Sequence, residues 1–157
     1  MLTTNLENLM YKHILVATDG SKLSQKAIAS GVKLAGSLGA RLTAVYVMPE
    51  YVPPMYGEAA MYVPEMSPKR FTAAVDKDAS AALAVVAKAA SRAGVKSTGV
   101  KLTNAQPWSA IISAARSKKC DLIVMASHGR RGLAGLLLGS ETTKVLTHSK
   151  VPVLVCR

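Results

Sequence analysis

The residues whose types and spacing lend themselves to chemistry are few in this 157-residue chain: histidines, two cysteines, and a run of glycines with hydroxyl and basic neighbours. His13, His128 and His148 are candidates for acid–base work, but no serine or cysteine stands beside one in a hydrolase motif. A catalytic constellation needs partners, so structural roles are expected and no catalytic residue is assigned. Cys120 and Cys156 lie far apart, with neither Cys-x-x-Cys nor metal-ligand spacing, and read as reduced core thiols; no metal site is assigned. The segment Ala126-Ser127-His128-Gly129-Arg130-Arg131-Gly132, continuing through Gly135 to Gly139-Ser140-Glu141-Thr142, points to phosphate. Glycine lets a backbone approach an anion closely, and a helix starting near Ser140 would turn free N–H groups and the positive end of its dipole towards it. Ser140 and Thr142 add hydroxyls, and Arg130 or Arg131 adds charge. Magnesium, if it accompanies the phosphates, would look to Glu141 or Asp19.

Two commoner phosphate loops do not fit. Gly31 and Gly36 have Walker spacing, but Ser37 and Leu38 follow where lysine and a hydroxyl residue are required. After the first apolar run stands Asp19-Gly20-Ser21 instead of Gly-x-Gly-x-x-Gly, which disfavours a dinucleotide site.

The elements that must position these residues alternate. Apolar runs predict strands at 12–18, 41–47, 96–103, 121–126 and 151–156. Helical spacing predicts helices at 24–38, 69–93, from Pro107 onward, and at 140–148, with Ser21 or Ser24 as the first cap and Gly39 and Gly94 as terminators. In the second helix Ala74, Val75, Ala82, Val85, Val86 and Ala89 are expected inward; in the third, Trp108, Ile111, Ile112 and Ala115. Strands alternating with helices imply an α/β domain with a parallel sheet and right-handed crossovers, and no internal repeat or second domain is apparent. Residues 1–10 read as an extension. Residues 48–68 carry five prolines, three tyrosines and four methionines, a long loop that suggests a lid, a contact surface or a mobile insertion.

Composition agrees with a globular chain: 50% hydrophobic, 18% charged and only 4% aromatic, so the core is built from Val, Leu, Ile and Ala. No signal peptide or stretch of eighteen apolar residues is present, which places the protein in the cytoplasm and off the membrane. The net charge of +11 raises nucleic acid as a partner, but the basic residues are scattered along the chain and no recognition motif accompanies them, which argues against it.

Four motifs then fall in order: Ile-Leu-Val-Ala-Thr-Asp-Gly-Ser at 14–21, Asp-Leu-Ile-Val-Met-Ala-Ser-His-Gly at 121–129, Leu-Leu-Leu-Gly-Ser at 136–140 and Val-Pro-Val-Leu-Val at 151–155. Together they resemble the universal stress protein family, over nearly the whole chain from Tyr11. The resemblance implies a five-stranded parallel sheet of order 3-2-1-4-5, helices on both faces, and an ATP site described by Gly-x-x-Gly, nine residues, then Gly-Ser/Thr. This chain matches at Gly129, Gly139 and Ser140 and departs at the first glycine, where Ala126 stands. The methyl group would crowd the nucleotide, or be tolerated if the backbone there is ordinary. Carried across, Asp19 faces the ribose, and Ala17, Thr18, Val47 and Met125 surround the adenine, with the Val47 backbone on the base edge. Plain packing and helix capping are the alternative roles. The expected function is regulatory: an adenine nucleotide, whether ATP with magnesium, AMP or cyclic AMP, is bound, orders the 48–68 loop and changes a surface read by a protein partner. A slow ATPase or self-phosphorylating protein, with Ser140 or a nearby hydroxyl as acceptor, and a nucleotide-free interaction module are the alternatives. The resemblance also implies a homodimer, and the apolar edge at 151–156 gives a physical reason.

Overall fold

A computed structural model describes residues 10–53, 67–130 and 138–157. Nine elements follow in chain order: β1 (His13–Ala17), α1 (Lys22–Leu38), β2 (Arg41–Met48), α2 (Pro68–Arg92), β3 (Ser97–Thr103), α3 (Pro107–Ser117), β4 (Leu122–Ala126), α4 (Ser140–His148) and β5 (Val153–Cys156). The strands form one parallel sheet of order β3-β2-β1-β4-β5, the order and class expected from the sequence. Most of the expected 48–68 loop, residues 54–66, and residues 1–9 of the expected extension lie outside the described residues.

Period-two alternation divides the strand side chains between two faces. Ile14, Val16, Leu42, Ala44, Leu122, Val124 and Ala126 pack with Ala27, Ile28 and Val32 of α1 and Val86 and Ala90 of α2. Leu15, Val45, Ile123 and Met125 pack on the other face with Ile111 and Ala115 of α3 and Val145 of α4. The helices therefore cover both faces. Ile14, Leu15, Ile123 and Val124 are wholly buried, each contributing roughly 1.5–3 kcal/mol of hydrophobic stabilisation.

Local chemistry sets the ends of the elements. Ser21 caps α1, its hydroxyl accepting from the Ser24 N–H at 3.2 Å, and Gly39 closes the helix in the left-handed region. Gly31 has a packing role: a Cβ there would stand 2.5 Å from Cγ2 of Val16, so α1 lies on the sheet only without a side chain. Pro68, expected in the loop, is the first helical residue of α2 and follows a Ser67 cap, as suits a residue with no N–H to satisfy.

Two expectations need correction. In α2 the buried stripe is Ala79, Ala82, Val86 and Ala90, whereas Ala74 and Val85 are exposed; a helix so rich in alanine has little contrast between its faces. The last strand begins at Val153 instead of Val151, because the Ser149 hydroxyl accepts from the Val151 N–H and donates to the Val151 carbonyl, folding 149–151 into a turn.

Candidate functional site

Open parallel sheets bind ligands outside the carboxyl ends of their strands, where the winding reverses. Here β1 is followed by β2 on one side and flanked by β4 on the other, which puts the reversal between β1 and β4. Asp19, just past β1, and the segment 127–130, just past β4, meet at that point.

The Asp19 carboxylate organises the meeting. Its Oδ1 accepts from the Ser21 N–H at 2.9 Å and its Oδ2 from the Arg130 N–H at 2.7 Å, 111 residues away in sequence. Gly129 is the residue that permits this: a Cβ on it would lie 2.8 Å from Asp19 Oδ2. Each carboxylate oxygen retains a lone pair for a further donor. Thr18 is buried; its Oγ1 lies 3.1 Å from Ser24 Oγ and accepts from the Gly20 N–H at 3.2 Å, so it shapes the turn.

The two ends of the glycine segment are tied to each other. The Gly139 N–H donates to the Ser127 carbonyl at 2.7 Å, and the buried Thr142 hydroxyl donates to the Ala126 carbonyl at 2.9 Å. A Cβ on Gly139 would stand 3.3 Å from the Ser127 oxygen and 3.4 Å from the His128 Cα. Gly139 is also the cap residue of α4 and makes no side-chain cap bond, so the helix starts beside Ser127, at the junction, with its leading N–H groups uncapped by a side chain and Ser140 exposed. Ala126 ends β4 and packs its methyl into the core beside α1, in ordinary strand conformation. His128 Nδ1 lies 3.0 Å from Ser127 Oγ, while its Nε2 is buried without a hydrogen-bond partner. The two glycines thus let these segments close on each other, Gly129 against the Asp19 carboxylate and Gly139 against the Ser127–His128 backbone.

Ala17, Val47 and Met125, from three neighbouring strands, share the apolar cluster on the α3–α4 face. Val47 lies two residues past the Ala17–Val45 pair, beyond the end of β1. The expected adenine-side residues are thus brought together, next to the Asp19 junction. A cavity of about 180 Å³ adjoins it, bounded by Thr18, Gly20, Asp78 and Arg130. A larger one of about 250 Å³ lies between α2 and β3 against Leu83 and Gly99, with no titratable group in its wall.

Two expected anion and cation ligands are engaged elsewhere. The Arg130 guanidinium passes over Gly20 towards α2, its Nη1 3.7 Å from Asp78. Glu141 Oε2 accepts from the Trp108 N–H at 2.8 Å, and Oε1 lies 3.6 Å from Lys144 Nζ. That carboxylate serves as the missing cap of α3, whose own cap residue, Gln106, makes no side-chain bond. Sequence reading did not single out Ser127, Asp78 or the Glu141–Trp108 bond, since each depends on contact between segments far apart in the chain. Arg131, Gly132 and Gly135 lie outside the described residues.

Among the described residues no helix is long and apolar enough to cross a membrane, and no group of three metal-ligating side chains occurs.

Comparison with known proteins converges on one group. The model of the universal stress protein family matches residues 10–157. A universal stress protein of Methanocaldococcus jannaschii is 35% identical over 98% of this chain and 85% of its own length. One from Bacillus subtilis is 34% identical over 94% of this chain and all of its own. Among solved structures, a universal stress protein in complex with cAMP superposes with a TM-score of 0.69 at 25% identity, covering 94% of this chain and 98% of the other. With the sheet order that the motifs implied and a family match from residue 10 to the last, the chain belongs to the universal stress protein family.

Proposed function

We propose that the protein binds an adenine nucleotide, ATP in the first instance, at the β1–β4 junction and signals through its nucleotide state. The observation that carries this reading is the convergence of the Asp19 carboxylate, the close backbone approaches that Gly129 and Gly139 allow and the start of α4, which has no side-chain cap, on one spot. The cAMP complex of a relative supports an adenine ligand for this architecture. Triphosphate would lie over Gly139 and the N–H groups of α4, the ribose hydroxyls would donate to Asp19, and the base would rest against Ala17, Val47 and Met125. Ala126 suits this arrangement, because its methyl is absorbed by the core and its backbone needs no glycine. Magnesium would arrive on the phosphates, with Asp19 the nearer carboxylate, since Glu141 caps α3. The proposed setting is cytoplasmic, and the proposed state is a homodimer through the β5 edge.

Isothermal titration with ATP and magnesium tests the reading. Wild-type protein is expected to bind, and Gly139→Val, whose added side chain must displace the Ser127 carbonyl, to lose at least about tenfold in affinity, equivalent to about 1.4 kcal/mol. Wild-type protein that gives no heat with ATP, AMP or cyclic AMP would remove the nucleotide from the proposal.

A further inference from the structure

The fold gathers basic residues that look scattered in sequence. Because all five strands are parallel, their amino ends, and the carboxyl ends of the helices that feed them, share the pole opposite the candidate nucleotide site. Lys12, Arg41 and Lys96 stand there at the entries to β1, β2 and β3. They are bound into one row, since the Arg41 N–H donates to the Lys12 carbonyl and the Leu42 N–H to the Lys96 carbonyl. Arg92 ends α2 on one side of this row, and Arg116, Lys118 and Lys119 end α3 on the other. Lys150 precedes β5. All eight are exposed.

Acidic groups are segregated in the opposite sense. Asp19, Glu50, Asp76, Asp78 and Glu141 lie towards the nucleotide pole; among the described residues Asp121 is the acid at the basic pole. Both of its oxygens are taken up by the backbone N–H groups of Lys12 and His13, at 2.8 and 3.0 Å. The Lys101–Asp76, Arg130–Asp78 and Lys144–Glu141 ion pairs all lie away from this pole.

Basic groups at helix carboxyl ends complement the helix dipole, which accounts for Arg92 and Arg116. It does not account for the strand-entry row. Nor does it account for Lys119, held at φ +56°, a conformation glycine would take at no cost. Five strands spaced about 4.8 Å apart, with helices on both faces, make this pole roughly 20 Å across.

We propose that this pole is a second binding surface, for the phosphate backbone of duplex nucleic acid, contacted without reading of sequence. Unpaired lysine and arginine in a broad array suit phosphates, which position a partner and carry no sequence information. Among the described residues the aromatic side chain beside the row is Tyr11, which packs against the core instead of standing free to stack on unpaired bases. The surface is independent of the nucleotide site.

Fluorescence anisotropy with a labelled mixed-sequence DNA duplex, titrated from 50 to 200 mM salt, is the test. The wild type is expected to bind at low salt, with an affinity falling by a slope of about 0.9 per phosphate contacted. The triple variant Lys12→Gln/Arg41→Gln/Lys96→Gln should lose at least about tenfold and reduce the slope by about 2–3. A charge-matched control, Lys26→Gln/Lys69→Gln/Lys77→Gln, should change the affinity less than about twofold. Circular dichroism establishes that each variant is folded. Absence of binding at 50 mM salt, equal loss in both triples, or sedimentation with phosphatidylserine vesicles in preference to duplex would each overturn the proposal.

Discussion

Lys119 shows what one residue can cost a fold. It sits just past α3 in the left-handed region, where an L side chain is strained by about 1–2 kcal/mol relative to glycine. Glycine recovers part of that and loses some to the unfolded chain, so Lys119→Gly is expected to stabilise the protein by about 0.5–1 kcal/mol. Thermal unfolding should show a rise in Tm of about 1–4 °C; an unchanged or lower Tm would mean that the lysine earns its place through folded-state contacts. Gly129 and Gly31 carry the opposite lesson, since there the small residue is demanded by a neighbour: an Asp19 oxygen in one case, Val16 in the other. These demands are only half legible in sequence. The glycines at 129 and 139 stand out by motif, and Asp19 by its place after an apolar run. That Asp19 holds the Arg130 backbone, or that Arg130 extends to Asp78, follows from packing of segments roughly 50 to 110 residues apart, for which a linear reading has no signal.

Among the elements, α3 and α4 form a coupled pair. Glu141, in the first turn of α4, supplies the acceptor that α3 lacks at its own start, and Trp108 stacks on His148 with ring centroids 4.7 Å apart. Removing that cap by Glu141→Ala should cost roughly 1 kcal/mol, the ordinary worth of a helix cap. Glu141→Gln, which keeps an acceptor, should cost less. Urea unfolding reads this as a lower midpoint at unchanged m; equal stability of all three proteins would show that the bond adds nothing. The strands were legible because a parallel sheet buries continuous apolar runs, whereas their order came from the family resemblance of the motifs. The inner face of α2 was not, because 3.6-residue periodicity is faint where most positions are alanine. Ala74 and Val85 were expected inward on that faint signal and are exposed.

For the molecule as a whole, the two edges of the sheet differ in kind. β3 carries Lys101, whose ammonium is bonded to Asp76 and Ser80 at 2.7 Å, a charged guard against strand pairing. β5 has no charge between Val153 and Cys156, and Leu154 is 40% exposed. Leu154→Lys is accordingly expected to convert a dimer to a monomer in sedimentation equilibrium, and a wild-type monomer would refute the edge-pairing proposal. The net charge of +11 was legible from composition, but its polarity was not: only when parallel strands align their starts do residues as distant as Lys12, Arg41 and Lys96 become neighbours. The coupling of α3 to α4 has a practical reach too. Trp108 is the chain's one tryptophan, and its amide is tied to the residue next to Ser140, so the indole is an intrinsic optical probe of the α4 amino terminus. Occupancy there can be followed by emission from the unlabelled protein.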